Sequence, residues 1–158
     1  MKKVGVIGIG NPLRRDDGIG IVLLEKLVER KNELPENVEF VNGGTGGMNL
    51  LHMLARYDVA VVIDAVNFDG EVGESKLFKS EDVNSKKIPI NISTHESDIL
   101  KVIQLSKKLK ECPSKLFIFG IQPEDTSFGQ TISTNLETVV ESLMFCLENK
   151  IKKICSVG

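Results

Sequence analysis

The chain has 158 residues, 41% of them hydrophobic and 27% charged, and a formal net charge of -2. That composition fits one globular domain, residues 1–158, long enough to bury a real core. The near-balanced charge and the lack of Trp leave neither a basic footprint for nucleic acid nor an aromatic platform for stacking bases. No stretch reaches the roughly 18 apolar residues of a membrane span. Met1-Lys2-Lys3 leads into an apolar run that ends at Gly10-Asn11 without a small-residue cleavage site. Cys112, Cys146 and Cys155 are odd in number and form no Cys-x-x-Cys pair, so no disulfide framework or thiolate zinc site is expected. A cytoplasmic protein is expected, with no membrane or nucleic-acid partner.

Lys3 to Ile9 reads as a buried strand. Asp17 to about Lys31 reads as a helix, because Ile21, Leu24, Leu27 and Val28 recur at spacings of three and four. Glu25, Lys26, Glu29 and Arg30 supply its wet face. Val38 to Val41 is a second strand, followed by Gly43-Gly44-Thr45-Gly46-Gly47 and a short helix from Met48 to Arg56. Val59 to Ile63 is a continuous apolar run, as a strand covered on both faces requires, and it ends at Asp64. Gly73 to Phe78 reads as a strand, Glu81 to Lys87 as a polar connection. Pro89 to Ile92 leads to Ser93-Thr94-His95-Glu96-Ser97-Asp98, where Ser93 or Thr94 suits an N-cap. A helix then runs to about Lys110 with Ile99, Leu100 and Ile103 inward. Lys115 to Gly120 is a further strand. Thr134-Asn135-Leu136-Glu137 has capping-box spacing, and a final helix carries Leu136, Val140, Leu143 and Leu147. The alternation predicts a three-layer α/β fold: a mostly parallel twisted sheet of about five strands with helices on both faces. The Gly73–Phe78 strand admits an antiparallel course.

The opening turn resembles a dinucleotide loop and departs from it. Gly8 and Gly10 stand where Gly-x-Gly-x-x-Gly needs them, but the third place is Leu13. Asp16 and Asp17 put negative charge where a pyrophosphate needs bare amides, and no acid ends the second strand, where Val41-Asn42 stands. No P-loop or Gly-x-Ser-x-Gly elbow is present. Ligands of open α/β sheets bind beyond the carboxyl ends of the strands, and Asp17, Asp64 and His95 fall there. Two carboxylates and an imidazole suit a borderline divalent ion, with positions left open for substrate.

Each residue has a structural reading beside the functional one. Asp17 could cap a helix, and Asp16 reads as a solvated neighbour or the cap itself. Asp64 closes a buried strand and must be hydrogen-bonded, paired or ligated. His95 could sit on the surface at a helix start, and His52 reads as a helix-surface or partly buried residue. Gly43–Gly47 is either a flexible turn or a place where backbone approaches a ligand or peptide.

Taken together, these motifs resemble the hydrogenase maturation proteases, endopeptidases that trim the C-terminal extension of the NiFe-hydrogenase large subunit. The resemblance rests on Gly8-Ile9-Gly10-Asn11 with Asp16-Asp17-Gly18-Ile19-Gly20, on Gly43-Gly44-Thr45-Gly46-Gly47, on Asp64-Ala65-Val66, and on Ser93-Thr94-His95. It implies that Asp17, Asp64 and His95 are the metal-contacting and catalytic residues, and that Gly43, Gly44, Thr45 and Gly46 lie beside the substrate peptide. The implied metal is nickel carried by the precursor. The family is grouped with the aspartic-type peptidases. Many relatives have Asp where this chain has Asn42. A monomer is expected, because processing needs an exposed cleft. Two other readings stand beside it: a nucleotide-binding module, which would need phosphate contacts at Gly8–Gly10, and a metal-sensing chaperone that would use the same three residues to hold the precursor without cutting it.

Overall fold

The computed structural model describes residues 2–84 and 94–157, the side chains of residues 83, 84 and 94–98 excepted. Five strands form one sheet: β1 (Val4–Gly8), β2 (Val38–Asn42), β3 (Val59–Ala65), β4 (Ser75–Lys79) and β5 (Lys115–Ile121). Their spatial order is β2-β1-β3-β5-β4. β1, β2, β3 and β5 pair in parallel, and β4 lies antiparallel on the edge beside β5. The expected three-layer α/β architecture is therefore present, and the strand predicted at Gly73–Phe78 is the antiparallel β4, shifted to Ser75–Lys79.

The helices are α1 (Ile19–Glu29), α2 (Met48–Leu54), α3 (Ser80–Asn84), α4 (Thr94–Lys108), α5 (Thr134–Glu137) and α6 (Val140–Ser156). α1 carries the chain from β1 outward to β2, whereas α2 carries it back past β1 to β3. Right-handed crossovers in opposite directions place their helices on opposite faces. Two separate apolar layers result. Val4, Val6, Val61, Ile63, Phe119 and Ile121 face Leu23, Leu24 and Leu27 of α1 and Leu143, Leu147 and Ile151 of α6. The alternate residues Ile7, Val62 and Ile118 face Leu50 and Leu54 of α2 and Ile99 and Ile103 of α4. Strand pleating sends successive side chains to opposite faces, so both faces of β1, β3 and β5 are apolar and covered.

On the first face, α6 is tied to α1 by ions. Arg30 donates from Nε and Nη2 to the two carboxylate oxygens of Glu148, at 2.8 and 3.3 Å, and Lys152 donates to Glu148 at 3.0 Å. The Glu148 side chain is only 5% exposed. The Arg30 guanidinium holds its carboxyl below the usual carboxylate range, against the opposing effect of burial.

Several expected boundaries move. The helix predicted from Asp17 begins at Ile19, because Arg15–Gly18 forms a tighter 3-10 turn first. Val28 is exposed rather than inward, and Ile19 and Leu23 are buried instead. β3 runs through Asp64 to Ala65 rather than stopping at Ile63. Ser80–Asn84 is a short helix where a polar connection is predicted. The final helix is two: Leu136, Val140, Leu143 and Leu147 are all buried, but the chain breaks between Glu137 and Val140. Pro89–Ile92 and Ser93 lie outside the described residues.

Candidate active site

The strand order reverses at β1, so its carboxyl end and that of β3 border the switch-point crevice where ligands of such sheets bind. The turn from β1 to α1 forms one wall. Its backbone N–H groups are engaged within the protein. Ile9 donates to the Ile63 carbonyl, Gly10 to that of Gly44, and Asn11 to Oδ2 of Asp17 at 2.9 Å. Pro12 has no N–H. Leu13 donates to the Asn11 side chain, Arg14 to the Asn11 carbonyl, Arg15 to Gly129, Asp16 to Asp125, and Asp17 to Arg14. A phosphate cradle consists of unsatisfied amides aimed at the ligand. From Ile9 to Asp17 every amide is taken, and the Asp17 carboxylate takes one itself. The nucleotide reading fails on this geometry.

Close approach, not phosphate binding, explains the glycines. Gly10 has a φ of 148°, and a Cβ there would collide with the Asp17 carbonyl. Gly20, in the first turn of α1, lies so near β1 and β3 that a Cβ would collide with the carbonyls of Ile9 and Ile63. Gly8 packs from the strand side, 2.6 Å from its would-be Cβ to the Gly20 carbonyl. The helix-packing glycine missing at Leu13 is thus supplied at Gly20.

Asp17 is buried in the 3-10 turn and is fixed by the Asn11 amide. It does not cap α1, whose N-cap is Gly18 and makes no side-chain cap bond. Asp64 is fully buried. Its parity with Ala60 and Val62 directs it to the face covered by α2 and α4. The Arg15–Gly18 turn packs directly against β3, which brings the two acids to one edge. His95 belongs to the first turn of α4, but its side chain lies outside the described residues. The last turn of α4 leads to the amino end of β5, and this sends its first turn toward the carboxyl edge. Among the described residues no group of three or more His, Cys, Asp and Glu side chains converges as a ready metal cage. His52 is exposed on the helix surface, as predicted.

The glycine segment forms the second wall. Gly43 donates to the Gly8 carbonyl at 2.8 Å and Gly44 accepts from Gly10 at 2.8 Å, so it extends the β2–β1 ladder past the strand ends. Gly44, Gly46 and Gly47 have φ of 58°, 88° and 66°, a region that strains other residues. A Cβ would meet nothing within 4 Å at Gly44 or Gly47, so these positions border open space. Asn42 Oδ1 accepts from the Gly44 amide at 2.8 Å. That local turn needs only an acceptor oxygen, which Asn supplies as well as Asp.

Two structural supports at this edge escape the sequence reading. Asp16, read as solvated or capping, is neither. It is fully buried and accepts from the amides of Glu124 (2.9 Å), Asp125 (3.0 Å) and Ser133 (2.6 Å), and from the Ser133 hydroxyl (2.8 Å). Ser133, not Thr134, precedes α5, and its hydroxyl serves Asp16 instead of the helix. Gln122, just beyond β5, is buried and accepts from the amides of Phe68 and Gly70 while donating to Asn67. It thereby fixes the loop that follows Asp64. No local pattern announces either residue, since the partners of their side chains lie at least 52 positions away. A cleft of about 550 Å³ at the opposite, amino edge, lined by Lys2, Asn37, Asp58 and Lys115 among others, is remote from these acids.

Comparison with known proteins identifies relatives that share this fold. A family model described as hydrogenase maturation protease (HycI) matches residues 21–150. The hydrogenase expression/formation protein HupD of Bradyrhizobium diazoefficiens is 33% identical over 123 residues, covering 78% of this chain and 64% of its own length. The hydrogenase 2 maturation protease of Escherichia coli is 31% identical over 140 residues, covering 88% and 84%. The chain spans between 58% and 65% of the length of three HupD relatives. Among solved structures, the hydrogenase maturating endopeptidase HybD from E. coli superposes with a TM-score of 0.81 at 26% identity, over 96% of this chain and 93% of that one. The NiFe hydrogenase maturation protease HycI from Thermococcus kodakarensis gives 0.73 at 25% identity, over the same shares.

Proposed function

The chain belongs to the hydrogenase maturation protease family, and from that premise we propose that it cuts the C-terminal extension from a NiFe-hydrogenase large-subunit precursor after nickel insertion. The observation that carries this reading is the pair of buried acids, Asp17 and Asp64, on elements packed together at the switch-point crevice. Two carboxylates beside one crevice present negative charge that suits a partner bringing positive charge.

In the proposed mechanism the nickel arrives with the substrate. Asp17, Asp64 and His95 offer two carboxylates and an imidazole, donors that Ni(II) accepts. Their contact distinguishes a loaded precursor from an empty one. Hydrolysis forms a bond from water oxygen to the scissile carbonyl carbon, breaks the C–N bond, and moves a water proton to the leaving amine. A crevice carboxylate is suited to hold that proton in transit, which accords with the aspartic-type grouping. Gly43, Gly44, Thr45 and Gly46 flank the departing peptide, with exposed backbone at Gly44 and Thr45 available for main-chain contacts. The enzyme acts in the cytoplasm as a monomer.

The deciding experiment incubates purified protein with nickel-loaded and nickel-free precursor and weighs the large subunit by mass spectrometry. Loss of the C-terminal mass only from the loaded form is expected. An unchanged mass with a competent loaded precursor overturns the protease reading. His95→Ala and Asp17→Asn, both folded, are expected to lose processing; wild-type rates in both would remove the site assignment.

A further inference from the structure

Asp16 stands next to Asp17 in the chain but faces the other way. Its carboxylate is fully buried and receives four donors, three backbone amides and a hydroxyl, all from residues 124–133. The contact is reciprocal. The Asp16 amide donates to the Asp125 carbonyl at 2.9 Å, and the Arg15 amide donates to the Gly129 carbonyl at 3.1 Å. Gly129 in turn donates to the Leu13 carbonyl at 2.9 Å, and Arg14 Nε donates to the Thr126 carbonyl at 3.1 Å. The turn that carries Asp17 is thus stitched along its length to a segment more than a hundred residues later.

Such density of bonding exceeds what closing a surface loop requires. Charge-assisted bonds to a buried carboxylate are about twice as strong as neutral ones, and here four converge on one side chain. A 3-10 turn has poor hydrogen-bond geometry and does not hold its own shape well. This one begins at Arg15 with a φ of 47°, a strained conformation that persists only where surrounding structure over-determines it.

We propose that Asp16 is a positioning residue: by clamping residues 124–133 onto the Arg15–Gly18 turn, it fixes the Asp17 carboxylate in the crevice. This rests on the proposed function only for its effect on processing. The clamp itself is a property of the chain and can be read without substrate.

Asp16→Asn keeps the shape but replaces one acceptor oxygen with an amide NH2, which faces backbone donors. Ser133→Ala is the milder variant, removing one of the four donors. Amide hydrogen exchange is measured in both against wild type. The discriminating site is Asn11, whose amide binds Asp17 and touches neither Asp16 nor residues 124–133 in any hydrogen bond. In Asp16→Asn, exchange at Glu124, Asp125, Ser133 and also Asn11 is expected to speed up by about tenfold or more, the factor a bond to a charged group is worth. Ser133→Ala is expected to do the same to a lesser degree. Faster exchange at residues 124–133 with Asn11 unchanged, in either folded variant, overturns the proposal, because the clamp then supports only its own loop.

With nickel-loaded precursor under single-turnover conditions, folded Asp16→Asn is expected to cut about 100-fold more slowly, the scale of a small misplacement at a reacting group. A wild-type cutting rate in this variant also overturns the proposal. If the wild-type protein cuts no precursor, the proposed function fails, and the exchange at Asn11 alone decides the clamp.

Discussion

Gly20 shows how a single residue can be misread and then located. Its motif place is visible in sequence as the end of Asp16-Asp17-Gly18-Ile19-Gly20, but its job is not, because periodicity does not reveal which backbone a helix will touch. A helical glycine without neighbours gains about 1 kcal/mol on change to Ala. Here the added Cβ meets the carbonyls of Ile9 and Ile63, so α1 must lift from the sheet. Gly20→Ala is expected to lower stability by about 1–3 kcal/mol, the range for overpacking a tight contact, read as a lower urea midpoint. A raised midpoint would show that the helix has room to spare. Asp17, Asp64 and the glycine segment were legible as candidates because strand ends and glycine runs leave local marks. Asp16 was not, since two adjacent acids look alike until the fold turns one inward.

At the scale of elements, strands and layers follow closely from the sequence, while helix ends do not. The apolar runs at Val59–Ile63 and Lys115–Gly120 have no other stable place than a covered sheet. The break between α5 and α6 was hidden because Leu136, Val140, Leu143 and Leu147 keep helical spacing across it, and burial satisfies the pattern whether or not the backbone is continuous. The wet face of α1 was legible, but not that Arg30 would reach a buried acid on α6. That ion pair carries a prediction. The Arg30 guanidinium depresses the Glu148 carboxyl, so its contribution is whole above the unfolded value of about 4.3 and is lost as pH falls through the lower folded value. Glu148→Gln is therefore expected to be less stable than wild type at neutral pH. The difference in urea midpoint should be constant down to about pH 5 and shrink below about pH 4. A difference that grows on acidification would mean that Glu148 is not stabilised as a charge.

Across the whole molecule, two apolar layers share one sheet, and the single-domain expectation becomes a question of cooperativity. With one Tyr and no Trp, Tyr57 is a natural reporter, and it sits in the α2–α4 layer. Leu147 is fully buried in the other layer. Leu147→Ala is expected to cost about 2–5 kcal/mol. If both layers unfold as a unit, the midpoint from Tyr57 fluorescence should move with that from far-UV circular dichroism. A Tyr57 transition that stays at the wild-type midpoint would divide the protein into two cooperative units.

The bonds between the first turn and residues 124–133 also bear on the order of biosynthesis. Chains emerge from the ribosome amino end first, at about 5–20 residues per second. Both acids of the crevice are made early, while the donors that Asp16 requires appear only once Ser133 has been added. Until then the turn lacks the partners that hold it in its strained shape. The nascent protein therefore carries both acids through the synthesis of residues 64–133 before the donors that hold the first turn are complete.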